Sequence, residues 1–292
     1  MASVAPSSRC GGCAWQPGVA YLLSVWRASM DMVPPLRPAN NVACLMPEAS
    51  LADWETDTAA YDMRPTLIIF GRLPLAGQCK TRLIPALGPE GAARLYSRML
   101  RRIVQQACAS RLGKVVVMLT PSPEHARQQP ELAALLTDLE DQWRAESMAA
   151  YGKRITLEAQ PQGGLGERMH QAMLRHLPAG PVLLMGSDLP ALDSQRLREA
   201  ARCLHDHEAV LQPSEDGGYG LIGLKAACPA AFQLDHWSHA DVSRETLALL
   251  AQAGRSVGCL PVSWDVDEPH DLVRLRRHFP ALMANLSSCQ PA

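Results

Sequence analysis

The stretch LIIFGRLPLAGQCKTRL, residues 67–83, decides the fold class and raises the first functional question. An apolar run of strand type, Leu67 to Phe70, ends at Gly71, and a loop that contains proline and a second glycine follows. Three cations lie on this loop, and such a set suits a polyphosphate. The cations are Arg72, Lys80 and Arg82.

The spacing in this loop is not that of a P-loop. That motif places a lysine directly after its second glycine. Here five residues separate Gly71 from Gly77, and two more precede Lys80. Because the phosphate cradle of a P-loop depends on that spacing, the sequence favours a polyphosphate-binding loop of another kind, placed between a strand and a helix.

Composition limits the possible partners. Of 292 residues, 47% are hydrophobic and 20% are charged, which is typical of a globular protein. The net charge of -1 gives no general basic surface, so we expect no nucleic-acid partner. No apolar run approaches the roughly 18 residues of a membrane span. Nine scattered cysteines indicate reduced thiols, and we predict a cytoplasmic location.

The pattern of the chain changes near residue 63. Neither a helical nor an alternating period persists in the first 62 residues, and we predict a poorly structured N-terminal extension there. Residues 63–282 are predicted to form one nucleotide-binding domain, and residues 283–292 a C-terminal tail.

From residue 64 onward, strand-like and helical segments alternate. Strands that are apolar throughout and separated by helices indicate a largely parallel sheet that is covered on both faces. Ligands of such sheets bind at the carboxyl ends of the strands. The predicted strands are residues 66–70, 114–119, 154–159, 181–187 and 208–213.

A glycine-rich segment, QPQGGLGERM at residues 160–169, follows the third predicted strand. Its glycines, Gly163, Gly164 and Gly166, would let the backbone approach a ligand closely, and the helix that begins there offers free N–H groups to an anion. The same segment could also be a plain turn and helix cap, so this signal is weak alone.

Carboxylates lie at two further places where a metal is expected. Asp188 follows the fourth predicted strand and is well placed to hold Mg²⁺ or Mn²⁺, although it could equally cap the next helix. Asp265 and Asp267 lie near the end of the chain. Because a hard cation bound with phosphates usually takes one or two carboxylates, Asp188 with one of this pair would suffice, and Asp267 is the favoured partner.

The fifth predicted strand leads into Ser214-Glu-Asp-Gly-Gly-Tyr-Gly220. We assign this turn to an acceptor site for a small molecule. Tyr219 is the aromatic residue best placed to stack on a ligand, although single aromatic residues more often pack in a core. The predicted acceptor residues are Asp216, Gly217, Gly218 and Tyr219.

Residues 64 to about 278 resemble a bacterial transferase family with a glycosyltransferase-A fold, of the selenodomain-associated type. The five motifs that carry the resemblance are FGRLPLAGQCKTRLIPALGPEGAARLY, QGGLGERM, GSDLPAL, PSEDGGYGLIGL and DVDEPHDL. The family is similar to 2-phospholactate and molybdenum-cofactor guanylyltransferases. The resemblance implies a Rossmann-like, three-layer α/β/α fold with a mixed, mostly parallel sheet, as in nucleotide-diphospho-sugar transferases.

The resemblance also implies roles for individual residues. Lys80 and Arg82 belong to the phosphate loop, the glycines of GGLG face the nucleotide, and Asp188 is at the metal position. Arg72 stands where many relatives have lysine, which changes the geometry available to a phosphate. Lys80, Arg82 and Asp188 are the predicted catalytic residues. The predicted nucleotide-binding set is Gly71, Arg72, Gly77, Lys80, Thr81, Arg82, Gly163, Gly164, Gly166 and Arg168.

Two reactions fit these residues. In nucleotidyl transfer a phosphorylated acceptor attacks a nucleoside triphosphate and pyrophosphate leaves, and the three-cation loop favours this reaction slightly. In glycosyl transfer a nucleotide-diphosphate sugar donates its sugar. A non-catalytic nucleotide-binding protein is the third possibility. The base, the acceptor and the oligomeric state are left open.

Overall fold

The computed structural model describes residues 42–44, 64–151 and 155–286. The strands in this part of the chain form one sheet, and those predicted from the sequence recur within one or two residues at most ends. The strands are β1 (Val42–Cys44), β2 (Thr66–Arg72), β3 (Val115–Thr120), β4 (Ile155–Ala159), β5 (Val182–Met185), β6 (Ala209–Pro213), β7 (Tyr219–Leu224) and β8 (Val257–Cys259).

The strand order in the sheet is β1-β8-β6-β7-β5-β2-β3-β4. Only β7 runs antiparallel to its neighbours, β5 and β6, and the other described pairs are parallel. Central strand β2 pairs with β5 on one side and with β3 on the other. The carboxyl ends of the parallel strands therefore share one edge of the sheet, and the amino end of β7 lies at that edge too.

Helices connect most of these strands. The two helices near the site are α1 (Ile84–Ala109), which follows the loop of residues 73–83, and α4 (Leu165–His176), which follows the glycine-rich segment. Helix α1 changes direction at Gly88, whose φ is +70°, a value that glycine tolerates best. The remaining helices are α2 (Pro123–Arg127), α3 (Pro130–Tyr151), α5 (Ser194–Asp206), α6 (Val242–Gln252), α7 (Asp271–His278) and α8 (Pro280–Met283).

The sheet is covered on both faces, because successive side chains of a strand point to opposite sides. Leu67 and Ile69 of β2 pack in a core with α1, α3, α5 and α7. Ile68, between them, packs in a second core with α4, α6 and the turn Pro229–Phe232. This arrangement confirms the predicted three-layer α/β/α class with a mixed, mostly parallel sheet.

Strand β7 is a hairpin partner of β6 that the strand predictions did not contain. Five residues, 214–218, connect the two strands. Two glycines in β7 allow close packing, since a Cβ on Gly220 would lie 2.6 Å from Leu189 and one on Gly223 would lie 2.4 Å from Leu183. These glycines weaken the strand signal in the sequence.

Every described residue lies in one compact unit, residues 41–292. Strand β1 falls inside the predicted N-terminal extension and pairs in parallel with β8. The predicted domain boundaries stay predictions. None of the described helices is both long enough and apolar enough to cross a membrane.

Candidate active site

Loops from distant parts of the chain meet at the carboxyl edge of the sheet. The segment after β5 and the segment after β8 are joined by a backbone hydrogen bond, in which Val266 N–H donates to the Asp188 carbonyl at 3.1 Å. The segments after β6 and β8 are joined by a bridge between Ser214 and Ser263. These bonds fix the positions from which Asp188, Asp265 and Asp267 project.

Lys80 lies between two of these carboxylates. Its ammonium nitrogen is 2.7 Å from an oxygen of Asp188 and 3.2 Å from an oxygen of Asp267. The Lys80 side chain is 7% exposed, whereas those of Asp188 and Asp267 are 33% and 40% exposed. The structure therefore places a predicted phosphate-loop cation in direct contact with two predicted metal ligands.

The backbone at Lys80 explains why its side chain turns inward. Lys80 has φ +47° and ψ +47°, a left-handed conformation that is uncommon for a side-chain-bearing residue, and it precedes a single 3₁₀ turn, Thr81–Leu83. Cys79 and Leu83, on either side, are buried in the core. These anchors hold the loop so that Lys80 faces the carboxylates, while Gly77 (φ +76°) and Thr81 lie on the exposed side.

Two opposing effects set the charge of Lys80. Burial disfavours the ammonium form, but the attraction of Asp188 and its hydrogen bond, together with Asp267, outweighs burial and raises the Lys80 pKa above its ordinary value. Lys80 is therefore charged at neutral pH. For Cys79, by contrast, burial is the main effect and raises the thiol pKa, so the neighbouring lysine does not activate it.

Arg82 extends the ion-pair cluster toward solvent. Its guanidinium pairs with Asp267 and lies 3.3 Å from Glu268. The turn that carries these two acids is fixed by Asp271, whose carboxylate accepts the N–H groups of Asp267 and Glu268 at 2.9 and 2.7 Å. Lys80 and Arg82 thus both have carboxylate partners within the described structure.

Asp265 lies beside this cluster and differs from its neighbours. Its carboxylate accepts a hydrogen bond of 3.3 Å from the Ser214 hydroxyl. Burial, followed by the negative charges of Asp188 and Asp216, raises the pKa of Asp265 to about 6. Asp188, Asp216 and Asp265 therefore lie close enough for their negative charges to interact.

The residues present can be tested against the predicted divalent metal. Among the described residues, no three His, Cys, Asp or Glu side chains are arranged to hold a metal by themselves. Two carboxylates do converge, since Asp188 and Asp267 both reach one atom, the Lys80 nitrogen. Two carboxylates completed by substrate phosphates and water are a usual Mg²⁺ set, so the donor chemistry fits, and the Lys80 ammonium lies between the same two carboxylates.

Tyr96 of α1 joins the ends of β2 and β5, a role that the sequence did not reveal. Its buried hydroxyl accepts the N–H of Arg72 at 2.8 Å and shares a 2.8 Å hydrogen bond with Ser187. Tyr96 therefore positions the start of the phosphate loop relative to the segment that carries Asp188.

Gln160, at the end of β4, is a second residue that sequence reasoning missed. Its amide nitrogen donates to the carbonyls of Gly71 and Met118 at 2.8 and 3.0 Å. Its amide oxygen therefore faces away from them and accepts a 2.9 Å hydrogen bond from Arg168. Gln160 thus links the ends of β2 and β3 to the first turns of α4.

The glycine-rich segment has structural as well as possible ligand roles. Gly163 has φ +108°, and the Glu167 carboxylate accepts the N–H of Gly164 at 2.9 Å. A Cβ on Gly166 would lie 2.5 Å from the Phe232 carbonyl and from the Trp237 ring. Gly166 is therefore required for packing, and the N-terminus of α4 is partly satisfied by its own glutamate.

The predicted acceptor turn lies next to Asp265, because Ser214 at its start donates a hydrogen bond to that carboxylate. Asp216 accepts the Gly218 N–H at 3.0 Å, and Gly217 has φ +88° where a Cβ would clash with the Ala240 backbone. Tyr219 turns away from the carboxylates, since its hydroxyl contacts Met169 at 3.9 Å. Burial raises the Tyr219 pKa, and its ring packs edge-on against Trp237.

The sequence was compared with models of protein families and with curated proteins. Residues 103–239 match the model of a family described as an uncharacterized protein conserved in bacteria, DUF2064. No curated protein matches the chain.

Solved structures provide the likeness in fold. A proposed nucleotide-diphospho-sugar transferase from Desulfovibrio desulfuricans is 28% identical, has a TM-score of 0.61, and is matched over 76% of this chain and 94% of its own. A 4-diphosphocytidyl-2C-methyl-D-erythritol synthase from Anaerococcus prevotii is 8% identical (TM-score 0.48, 75% and 99% covered). Rv0371c of Mycobacterium tuberculosis, in complex with manganese, is 18% identical (TM-score 0.40, 73% and 97% covered). The chain is thus similar in fold to a proposed nucleotide-diphospho-sugar transferase.

Proposed function

We propose that this protein is a metal-dependent transferase that uses a nucleotide, with nucleotidyl transfer slightly favoured over glycosyl transfer. In the favoured reaction, a phosphorylated small molecule attacks the α-phosphate of a nucleoside triphosphate, and pyrophosphate leaves. We also place the chain in the selenodomain-associated type of this transferase family, on the five motifs between residues 70 and 272.

The observation that carries the proposal is the Lys80 ammonium held between Asp188 and Asp267 at the carboxyl edge of the sheet. In doubly wound α/β folds this edge is where ligands bind. Charged groups of both signs, held in fixed positions beside a crevice, suit a reaction whose barrier lies in charge on phosphoryl oxygens.

The charge balance of this cluster favours a metal. Lys80 and Arg82 carry two positive charges, and their partners Asp188, Asp267 and Glu268 carry three negative charges, which leaves a net charge of -1. A polyphosphate alone would be repelled here. A divalent cation on Asp188 and Asp267 would supply Lewis-acid stabilisation of the phosphates.

The chain's own residues have separate tasks in this proposal. Tyr96 holds the start of the phosphate loop against the segment with Asp188. Asp271 fixes the turn that presents Asp267. Lys80 and Arg82, once their carboxylates are shared with a metal, can turn toward phosphate oxygens and neutralise the charge that develops on them.

Glycosyl transfer is the second candidate, and the likeness to a proposed nucleotide-diphospho-sugar transferase favours it. The three cations Arg72, Lys80 and Arg82, at the end of β2 and in the loop after it, favour the triphosphate of nucleotidyl transfer, since it carries more charge than a diphosphate sugar. A non-catalytic nucleotide-binding protein is the remaining alternative.

A thermal-shift experiment separates these candidates. Wild-type protein is heated with each of four nucleoside triphosphates and with UDP- and GDP-sugars, in Mg²⁺ and in EDTA. A ligand at 100 times its Kd stabilises the folded state by about 2.7 kcal/mol. We expect stabilisation by a triphosphate, at least tenfold tighter binding with Mg²⁺, and loss of that Mg²⁺ effect in Asp188→Asn.

Each outcome decides between the candidates. Stabilisation by nucleotide sugars alone would promote glycosyl transfer. Binding that is the same in Mg²⁺ and EDTA would exclude the metal from the proposal. Absence of any shift would reject nucleotide use altogether.

A further inference from the structure

Two arginines at the carboxyl edge of the sheet differ from Lys80 and Arg82. Arg72 is at the end of β2, and Arg168 is in the first turns of α4. Neither guanidinium pairs with a carboxylate within the described ranges 64–151 and 155–286, whereas Lys80 and Arg82 both do. The cations of the predicted phosphate-binding set therefore fall into a neutralised pair and an uncompensated pair.

The uncompensated pair is held together by Gln160. The Gln160 amide nitrogen bonds to the carbonyl of Gly71, the residue before Arg72, and its oxygen accepts the Arg168 guanidinium at 2.9 Å. The second donor bond of Gln160, to Met118, prevents the amide from rotating freely. Gln160 thereby holds the Arg168 guanidinium near the backbone at residues 71 and 72.

The two like charges affect each other. Burial lowers the pKa of Arg168, and the positive charge of Arg72 lowers it further. Arg72 is exposed and Arg168 is half-buried, so an anion from solvent can reach both. Such an anion would relieve the repulsion, and the guanidinium fork matches the oxygens of a phosphate.

We propose that Arg72 and Arg168 form the oxyanion subsite that receives the phosphate chain of the substrate, while Lys80, without a metal, is paired with the carboxylates of Asp188 and Asp267. The proposal rests on the proposed function for the identity of the substrate, a phosphate ester or anhydride. It divides the site into a phosphate end at β2 and α4 and a metal end at β5 and the segment after β8.

The probe is inorganic pyrophosphate, titrated calorimetrically into the full chain in EDTA and low salt. We expect Arg72→Gln and Arg168→Gln each to weaken pyrophosphate binding at least tenfold. Arg94→Gln, an exposed arginine of α1, is the matched control for the change in charge and should bind within threefold of wild type. The double variant Lys80→Gln/Asp188→Asn removes one charge of each sign at the metal end and should weaken pyrophosphate binding less than Arg168→Gln does.

Two results would overturn the subsite. One is wild-type affinity in Arg168→Gln, and the other is an absence of pyrophosphate binding in the wild type. If the double variant loses as much pyrophosphate affinity as Arg168→Gln does, Lys80 binds the phosphate and the proposed subsite is wrong. If pyrophosphate binds as expected but no nucleotide stabilises the protein, the subsite stands and the proposed function fails.

Discussion

At the scale of single residues, the arrangement around Lys80 combines groups that lie far apart in the chain. Lys80 meets Asp188 and Asp267 although 108 and 187 residues separate them. Sequence reasoning placed Lys80 and Asp188 at the carboxyl edge from strand positions and named Asp267 as the favoured second metal ligand. It could not reveal that the lysine and the acids touch, because the left-handed backbone at Lys80 directs the side chain and has no signature in the loop sequence.

Removal of the Lys80 charge should strengthen metal binding. Lys80 occupies the place between Asp188 and Asp267 that a cation would take, so Lys80→Met leaves two carboxylates without their counterion. We expect the Kd for Mn²⁺, measured by electron paramagnetic resonance without nucleotide, to fall at least tenfold, or about 1.4 kcal/mol.

The control for this experiment is Lys114→Met. Lys114 is 47% exposed and pairs with Glu158 away from Asp188, so its loss changes the net charge equally. An Mn²⁺ affinity that is equal in Lys80→Met and wild type would mean that the two acids do not share a cation.

Asp265 should make stability depend on pH. Its pKa is raised to about 6 in the folded protein, against about 3.9 for an unfolded chain. The folded state therefore disfavours the charged carboxylate, and wild type loses stability as pH rises from about 4 through about 6. In Asp265→Asn this loss is absent.

Melting temperatures in EDTA between pH 4 and pH 8 test this prediction. We expect Asp265→Asn to gain in melting temperature relative to wild type as pH rises, with the gain complete above about pH 6. A difference between the two proteins that is constant across this range would show that the shift in pKa does not exist.

Gln160 should act on phosphate through Arg168. Gln160→Met keeps the length of the side chain but removes the acceptor of Arg168 and both donors to the sheet. We expect pyrophosphate affinity to fall at least fivefold while Mn²⁺ affinity stays unchanged. A parallel loss of both affinities would indicate a general structural role for Gln160.

At the scale of elements, the sequence predicts the parallel strands well and the hairpin poorly. Apolar runs such as Leu67–Phe70 are long enough to be recognised. Strand β7 contains Gly220 and Gly223, which weaken its strand signal. Glycine is needed there because Leu189 and Leu183 approach the backbone closely, and the sequence of β7 does not show those contacts. The turn signal Asp216-Gly-Gly could have indicated a hairpin, but the family resemblance implied only a mixed sheet and did not say which strand is antiparallel.

Helix α1 illustrates a second limit of sequence reasoning. Arg98 and Arg102 lie mostly opposite the apolar stripe of α1, on a face that a helical period predicts to be solvated, yet both contact the C-terminal part of the chain. Arg98 donates to the carbonyls of Leu282 and Ala284, and Arg102 donates to the Pro190 carbonyl while its guanidinium lies 4.7 Å from the Phe279 ring centre. A helical period shows which face is polar but not what covers it.

Arg98 should therefore contribute to stability. Arg98→Ala removes a charged donor from two carbonyls, and we expect a loss of about 1–2 kcal/mol in the free energy of unfolding, measured in urea. Arg94→Ala, an exposed arginine on the same helix, should change this free energy by no more than about 0.5 kcal/mol. Equal effects in the two variants would contradict the docking role.

At the scale of the whole molecule, the site depends on both halves of the sheet. Strand β2 ends in Arg72 and β4 leads to Gln160, whereas β5 leads to Asp188 and β8 leads to the acids of residues 265–268. The order of the strands brings β2 and β5 side by side, and β8 is the neighbour of β6. The position of Asp267 therefore depends on how firmly β8 is held in the sheet.

Truncation of the chain tests the predicted boundary at residues 62 and 63. Strand β1 pairs with β8 through only three residues, Val42–Cys44, and every residue assigned to the site lies after Thr66. We expect a chain that lacks residues 1–62 to fold and to bind nucleotide within threefold of wild type. It should unfold at a lower urea concentration than a chain that lacks only residues 1–40, because β8 then becomes an edge strand with unpaired backbone groups. If the shorter deletion binds nucleotide and the longer one does not, the domain begins before Val42, and β1 is needed to hold the strand that leads to Asp267.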